Sequence, residues 1–357
     1  MTKEADYIIV GQGIAGTVLA FTLIKAGRKV LLIDDPALSS ASKVAAGLYN
    51  PVVFKRLTKS WMADELIPFL DTFYTGLENT LGCKFHFKKR IVKLFAEEQE
   101  REFWMKKTAA EVGRYLDKNI DDNFLPGLVN SPLGAAEVLE AGNIDTRILL
   151  SAAADHFKKA GCLIEEKFEI DRLLISEDHV NYKDCRAKKI VFCEGFRAAE
   201  NPYFSWLPFR LTKGEILTIR LQDDHEIPFE KVINKGVFIL PLGNNSYRVG
   251  ATHTWDKLND DATDEGRSEL IEKLEKVITV PFVITSHLAG VRPAVNDRRP
   301  MLGLHPDHPA LAVFNGMGTK GIMLAPYFAD HLVKFLEHDQ PLDKEADVLR
   351  FWKNSIF

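Results

Sequence analysis

The chain has 357 residues, 46% of them hydrophobic and 27% charged, enough apolar mass for a large core divided between two domains. A formal net charge of -4 gives no global attraction to nucleic acid or to an anionic membrane, so composition favours a small-molecule partner. The opening MTKEADY has no apolar signal core, no apolar run is long enough to span a bilayer, and Cys83, Cys162, Cys185 and Cys193 lack CxxC or Cys/His metal spacing; a cytoplasmic protein with free thiols and no metal is expected.

The first segment is the most informative. YIIV (7–10) reads as a short β-branched strand, GQGIAG follows at once, and TVLAFTLIKAG has the apolar spacing of a helix before a second strand, KVLLIDD. In such a βαβ unit Gly11 allows the tight turn, Gly13 lets backbone approach a pyrophosphate, and Gly16 lets helix and strand pack closely. The helix N-terminus offers free N–H groups to phosphate, and Asp34 or Asp35 ends the second strand where a carboxylate can accept from a ribose hydroxyl. Strand, glycines, helix, strand and acid in register predict a dinucleotide site, of a kind shared by NAD and FAD.

After the second strand comes a stretch rich in small residues, SSASKVAAGLYN, where backbone can pass close to a flat ligand; a plain surface loop has the same composition. Helices are predicted over 63–81 and 97–116, with KFHFKKR between them as a local basic patch. GNIDTRILLSAAADHFKKAGCLIEE reads as a turn, a helix and a strand, and AKKIVFCEGF as a buried strand ending at a glycine. KGEILTIRL, KVINKGVFILPLGNNSYRVG and FVITSHLAG have strand character, with GNNS as a hairpin signal. Strand ALAVFNG then leads into a second glycine turn, NGMGTKG, and a long helix, IMLAPYFADHLVKFLEH.

Together the N-terminal fingerprint, AAGL, LTKGEIL, GVRP with RRPMLG, and GIMLAP resemble the D-amino-acid oxidase family of FAD-dependent oxidoreductases, including its glycine oxidase and tRNA wobble-uridine-modifying branches, over nearly the whole chain. The resemblance implies an α/β fold: a Rossmann-like, glutathione-reductase-type FAD domain (1–85, 140–210 and 288–357) and an α+β substrate domain on a mixed or antiparallel sheet (86–139 and 211–287). It implies FAD contacts from Gly11, Gly13, Ile14, Ala15 and Gly16, with Asp34 and Asp35 at the adenosine ribose. Ser42, Ala46, Gly47 and Leu48 would lie along pyrophosphate and flavin, Ile170 near adenine, and Gly195 at the strand end abutting the cofactor. The second turn, Gly316, Gly318, Thr319, Lys320, Gly321 and Ile322, would face the flavin's pyrimidine end, where a helix N-terminus favours the charge that accumulates on reduction. Lys320 either adds a charge there, to cofactor or substrate, or is a solvated loop lysine.

In the same family the substrate-carboxylate arginine falls at Arg292, whose planar fork matches a carboxylate; the plainer reading is an arginine paired with an Asp or Glu. Arg298 and Arg299 read as surface or interface charges. Where glycine oxidases carry an arginine before the second turn this chain has Thr319, and where several relatives carry an aromatic hydroxyl it has Phe238. No cysteine lies near the second turn, so FAD is expected to be non-covalent. The flavin carries the chemistry, so no side-chain base is assigned, and neither His253 nor His287 is given a catalytic role. The implied function is oxidation of the C–N bond of a small amino acid or N-substituted glycine by hydride transfer to flavin N5, with imine hydrolysis and reoxidation by O2 or another acceptor. A tRNA-modifying oxidase and a non-catalytic flavin sensor are the alternatives, the first disfavoured by the acidic balance.

Overall fold

In the computed structural model, which describes residues 3–223 and 225–352, the first strand (Lys3–Val10) sits inside an eight-stranded sheet. It pairs in parallel with Val30–Asp34 on one side and Cys185–Phe192 on the other. Both faces of that strand are covered. Tyr7 and Ile9 pack against helices Ile14–Lys25, Thr146–Lys159 and Gly321–His338, while Ile8 and Val10 pack with Phe192, Phe204 and Val313 on the other side. Burial on both faces is what a parallel sheet requires, and it explains the near-continuous apolar run YIIV. Leu311–Asn315 extends this sheet in parallel from Cys185–Phe192, and Met301–Leu304 returns antiparallel to it.

A second, nine-stranded sheet takes its strands from Leu48–Tyr49, from segments between His86 and Ile144, and from segments between Thr212 and Arg292. Its pairings are antiparallel apart from Lys231–Lys235 against His86–Leu94. One face packs on helix Asp264–Glu275 through Leu217, Ile219, Tyr247, Val249, Leu270 and Leu274. The opposite face looks toward the first sheet. The predicted GNNS hairpin joins Val237–Gly243 to Ser246–Gly250, with Asn244 and Asn245 both at positive φ (51° and 54°), as a two-residue turn matching the strand twist demands.

The helix expected over 63–81 is found at Ala63–Leu81. The one expected over 97–116 is broken: it runs only Glu98–Lys107, and Glu111–Tyr115 is a 3-10 turn. Trp104, Val112 and Tyr115 all enter one apolar cluster, and the chain folds back so tightly that a Cβ on Gly113 would lie 2.1 Å from the Thr108 carbonyl oxygen. Burying those three side chains together outweighs the propensity to continue. No helix among the described residues is long and apolar enough to cross a membrane.

Candidate active site

A cavity of about 710 Å³ lies between the two sheets. Its phosphate end is the turn between the first strand and its helix. Gly11 has φ 99°, and a Cβ there would come within 2.6 Å of the Cys193 carbonyl oxygen; one on Gly16 would come within 1.8 Å of the Gly11 carbonyl oxygen. Gly11 therefore serves turn and packing, and Gly16 serves packing alone, behind the cavity wall. Gly13 differs. Its φ is -71°, and the nearest atom to a Cβ is Ser42 Oγ at 3.1 Å, so space beside it opens into the cavity.

Ser42 Oγ accepts from Ile14 N (3.0 Å), and Gln12 N donates to Asp34 Oδ1 (2.9 Å). The amides of Gly13 and Ala15 have no partner among the described residues. Unpaired N–H groups at a helix start are an anion site, and with the open flank of Gly13 they fit a pyrophosphate. Asp34 and Asp35 line the cavity at the end of the second strand, and burial pushes the Asp34 carboxyl up. Ile14, Ala15, Ser42, Ala46, Gly47, Leu48, Ile170 and Gly195 line it too.

The second glycine turn contributes Gly318, Thr319, Gly321 and Ile322 to the wall. Gly316 and Lys320 stand outside it. Gly316 (φ 74°) packs on Met301 and Val295, and Lys320 Nζ donates to Ser60 Oγ (3.1 Å). Burial, then Arg298 and Arg299, push the Lys320 ammonium down. Asn315 ties the turn to the first sheet: its Nδ2 donates to the Gly195 carbonyl and its Oδ1 accepts from Gly316 N, both at 2.8 Å. Gly318 N donates to the Pro293 carbonyl (3.2 Å), so the turn and the residue after Arg292 form one hydrogen-bonded unit.

Arg292 ends strand Phe282–Arg292 and lines the cavity. Its guanidinium lies across Gly214, where a Cβ would fall 1.8 Å from Nη2. Nη1 donates to the Lys213 and Thr252 carbonyls (both 3.4 Å) and to His253 Nδ1 (3.2 Å). No carboxylate pairs with it among the described residues. Burial pushes it down to about 10, so it stays charged at neutral pH. His253 must accept from Arg292 and is therefore neutral with its proton on Nε2; burial, then Arg292, push its pKa down. His253 is held by backbone bonds in both directions between Thr254 and Lys213, and by Glu215 N donating to Thr252 Oγ1 (2.9 Å). Further along the same loop, Asp260 accepts from the Ser39 hydroxyl and lies 3.8 Å from Arg197, joining the two halves of the molecule at the cavity mouth.

Several wall residues carry no signal in the sequence. Gly214, Gly250 and Gly290 stand on neighbouring strands, Gly214 opposite Gly290, and together make a flat floor that no single strand advertises. Glu194 is another. Its carboxylate accepts from Asn201 Nδ2 (2.8 Å), and burial pushes its pKa up from 4.5 to about 7 against that bond and Arg197. Because the folded pKa exceeds the unfolded one, the neutral carboxyl's contribution is complete below pH 4.5 and is lost as pH rises through 7. Glu194→Gln should therefore raise the stability of flavin-free protein by roughly 3 kcal/mol above pH 7 and leave it unchanged near pH 4; thermal melts at the two pH values check this.

Cys193 lines the cavity behind Gly11, and burial pushes its thiol well up, so it is a protonated packing group. The cations of KFHFKKR are engaged: Lys84 with Glu78, Lys88 with Asp71, Arg90 with Glu137, and Lys89 on the Phe229 carbonyl and ring. Lys84, Lys88 and Arg90 remain solvent-exposed, each beside a carboxylate.

The family model for FAD-dependent oxidoreductases of the DAO type matches residues 6–335. This chain belongs to that family. It is 26% identical over 357 residues to glycine oxidase of Geobacillus kaustophilus, covering 91% of each. The crystal structure of glycine oxidase from Geobacillus kaustophilus superposes with a TM-score of 0.79 at 24% identity, over 96% of this chain and 97% of that one, which establishes the shared fold. The chain is also 23% identical to the tRNA 5-methylaminomethyl-2-thiouridine biosynthesis bifunctional protein of Marinobacter nauticus, over 91% of its own length and 54% of that protein's. It spans only about half the length of the bifunctional relatives it matches.

Proposed function

We propose that this family member oxidises the C–N bond of a small amino acid or N-substituted glycine, holding the substrate carboxylate on Arg292. The observation that carries this reading is a cavity-lining guanidinium with carbonyl and imidazole partners and, among the described residues, no carboxylate. A half-buried cation that faces a cavity with no acid partner among the described residues is placed to meet an anion, and a carboxylate matches the fork in two bonds. His253 orients the guanidinium and presents its Nε2–H beside it. The glycine floor and Phe238 line the same cavity beside the guanidinium.

FAD, when bound, supplies the two-electron acceptor, and the resulting imine is hydrolysed by water with O2 or another acceptor closing the cycle. The residues that would hold it are Gly13, Ile14, Ala15 and Ser42 at the pyrophosphate, Asp34 and Asp35 at the ribose, Ile170 at adenine, and Ala46 to Leu48 with Gly318 to Ile322 along the ring. The division into a cofactor unit (1–85, 140–210 and 288–357) and a covering unit (86–139 and 211–287) belongs to the same proposal; the two sheets follow it except that Leu48–Tyr49 and the last residues of strands Ala135–Ile144 and Phe282–Arg292, all in the covering sheet, fall within the cofactor unit's bounds. Lys320 acts in it through Ser60 and the shape of the second turn.

Purified protein should be yellow and should release intact FAD on acid denaturation. Flavin retained on the precipitated chain would contradict non-covalent binding. An anaerobic panel of amines and amino acids, read by flavin bleaching, tests the activity: carboxylate-bearing amines should bleach it, and a panel in which only amines lacking a carboxylate do so would overturn the assignment of Arg292.

A further inference from the structure

Arg248 is 2% exposed and is a second guanidinium without an acid. It lies on Ser246–Gly250, two residues before the cavity-lining Gly250, so strand alternation puts both on the face toward the first sheet. Its Nη1 donates to the Ala45 carbonyl (2.9 Å), and among the described residues its Nε has no partner and no carboxylate pairs with it. The charges that act on it, Arg147 and Asp145, oppose one another. Asp145 is committed to capping its helix through the amides of Arg147 and Ile148.

The Ala45 carbonyl does not need a charged donor, because Thr146 Oγ1 also donates to it (3.3 Å). What the guanidinium adds is charge, on one side of the Ala45–Ala46 peptide. A trans peptide points its N–H opposite to its C=O. Ala46 lines the cavity, and its N–H has no partner among the described residues. The segment is fixed at both ends, by Ala45 N on the Ala41 carbonyl (2.9 Å) and by Gly47, whose carbonyl accepts from Ile144 N (2.9 Å) and which has no room for a Cβ. The result is a preset N–H donor with a buried positive charge behind it.

We propose that Arg248 is a positioning and electrostatic residue for the redox reaction: through the Ala45–Ala46 peptide it directs a polarised N–H and its own charge at the flavin ring, raising the ring's affinity for electrons. The proposal rests on the cofactor reading above. Hydrogen bonds strengthen one another when a charged donor polarises the shared peptide, and fixed donors in a dry site act without reorganisation.

Sulfite is the probe, used on FAD-loaded protein at pH 7. Its sulfur lone pair forms a bond to oxidised flavin N5 and leaves negative charge on the pyrimidine end, so its affinity reports positive charge nearby. Arg248→Gln keeps a neutral donor to Ala45 and removes the charge; it should weaken sulfite binding about tenfold and lower the flavin midpoint potential. Arg248→Lys should stay within about threefold of wild type. A glutamine variant less than threefold weaker, or a lysine variant as weak as the glutamine one, overturns the proposal.

If Arg248→Gln does not fold, Arg248→Lys decides alone. A buried lysine sheds its proton as pH rises from 7 to 9, so its sulfite affinity should fall relative to wild type over that interval; a constant ratio overturns the proposal. Wild-type protein that binds no FAD would instead defeat the cofactor reading and is recognised by its lack of colour.

Discussion

Valine at Gly13 should give a folded protein that holds no flavin. Gly13 has an ordinary φ of -71°, and the nearest atom to a Cβ there is the Ser42 hydroxyl at 3.1 Å, whose displacement gives up one bond, from Ile14 N, and leaves the backbone in place. The rest of the valine side chain then occupies the open flank of the phosphate turn. A pyrophosphate can no longer reach the amides of Gly13 and Ala15, and loss of several charge-assisted bonds should weaken FAD binding by at least about a hundredfold. The neighbouring glycines give the contrast. Valine at Gly11 faces a positive φ and the Cys193 carbonyl, and valine at Gly16 collides with the Gly11 carbonyl, so those variants should lose the fold along with the cofactor. Circular dichroism and flavin absorbance on the three variants separate the cases, and full flavin occupancy in folded Gly13→Val would sink the phosphate assignment.

That contrast also shows what the sequence could convey. GQGIAG between a β-branched strand and an apolar, buried helix identifies the turn because each glycine answers a local demand, and local demands are written in consecutive residues. The covering sheet is different. Its strands are legible as alternating segments, but Gly214, Gly250 and Gly290 become a floor only when strands distant in sequence are set in register. Arg248 is hidden for a related reason. In SYRVG the alternation buries Tyr247 and Val249 on one face, which by itself sends Arg248 to solvent; a second buried face reverses that. KFHFKKR misleads in the opposite direction, since its partners lie on other elements, Asp71 and Glu78 on helix Ala63–Leu81 and Glu137 on strand Ala135–Ile144. Arg292 was legible as a family position, whereas its want of an acid partner is visible only in three dimensions.

Arg292→Lys should impair oxidation of a carboxylate-bearing amine by a hundredfold or more while leaving FAD binding close to wild type. Lysine keeps the charge, but the ammonium is a single point donor and cannot offer two parallel bonds. Nor can it readily keep the present contacts with the Lys213 and Thr252 carbonyls and His253 Nδ1, so the orientation of the bound carboxylate is lost as well. Charge-assisted bonds in a desolvated site are worth about 1.5–3 kcal/mol each, and loss of one with its alignment accounts for a hundredfold, about 2.7 kcal/mol. The cofactor amides on the first sheet are untouched, which is why flavin occupancy should hold. An amine without a carboxylate never uses the fork, so its rate of flavin reduction should change by no more than a few fold. Stopped-flow reduction of wild type and variant with a matched pair of amines reads the difference, and equal losses for both would make Arg292 a support of the fold, serving the strand end and the second glycine turn through Pro293.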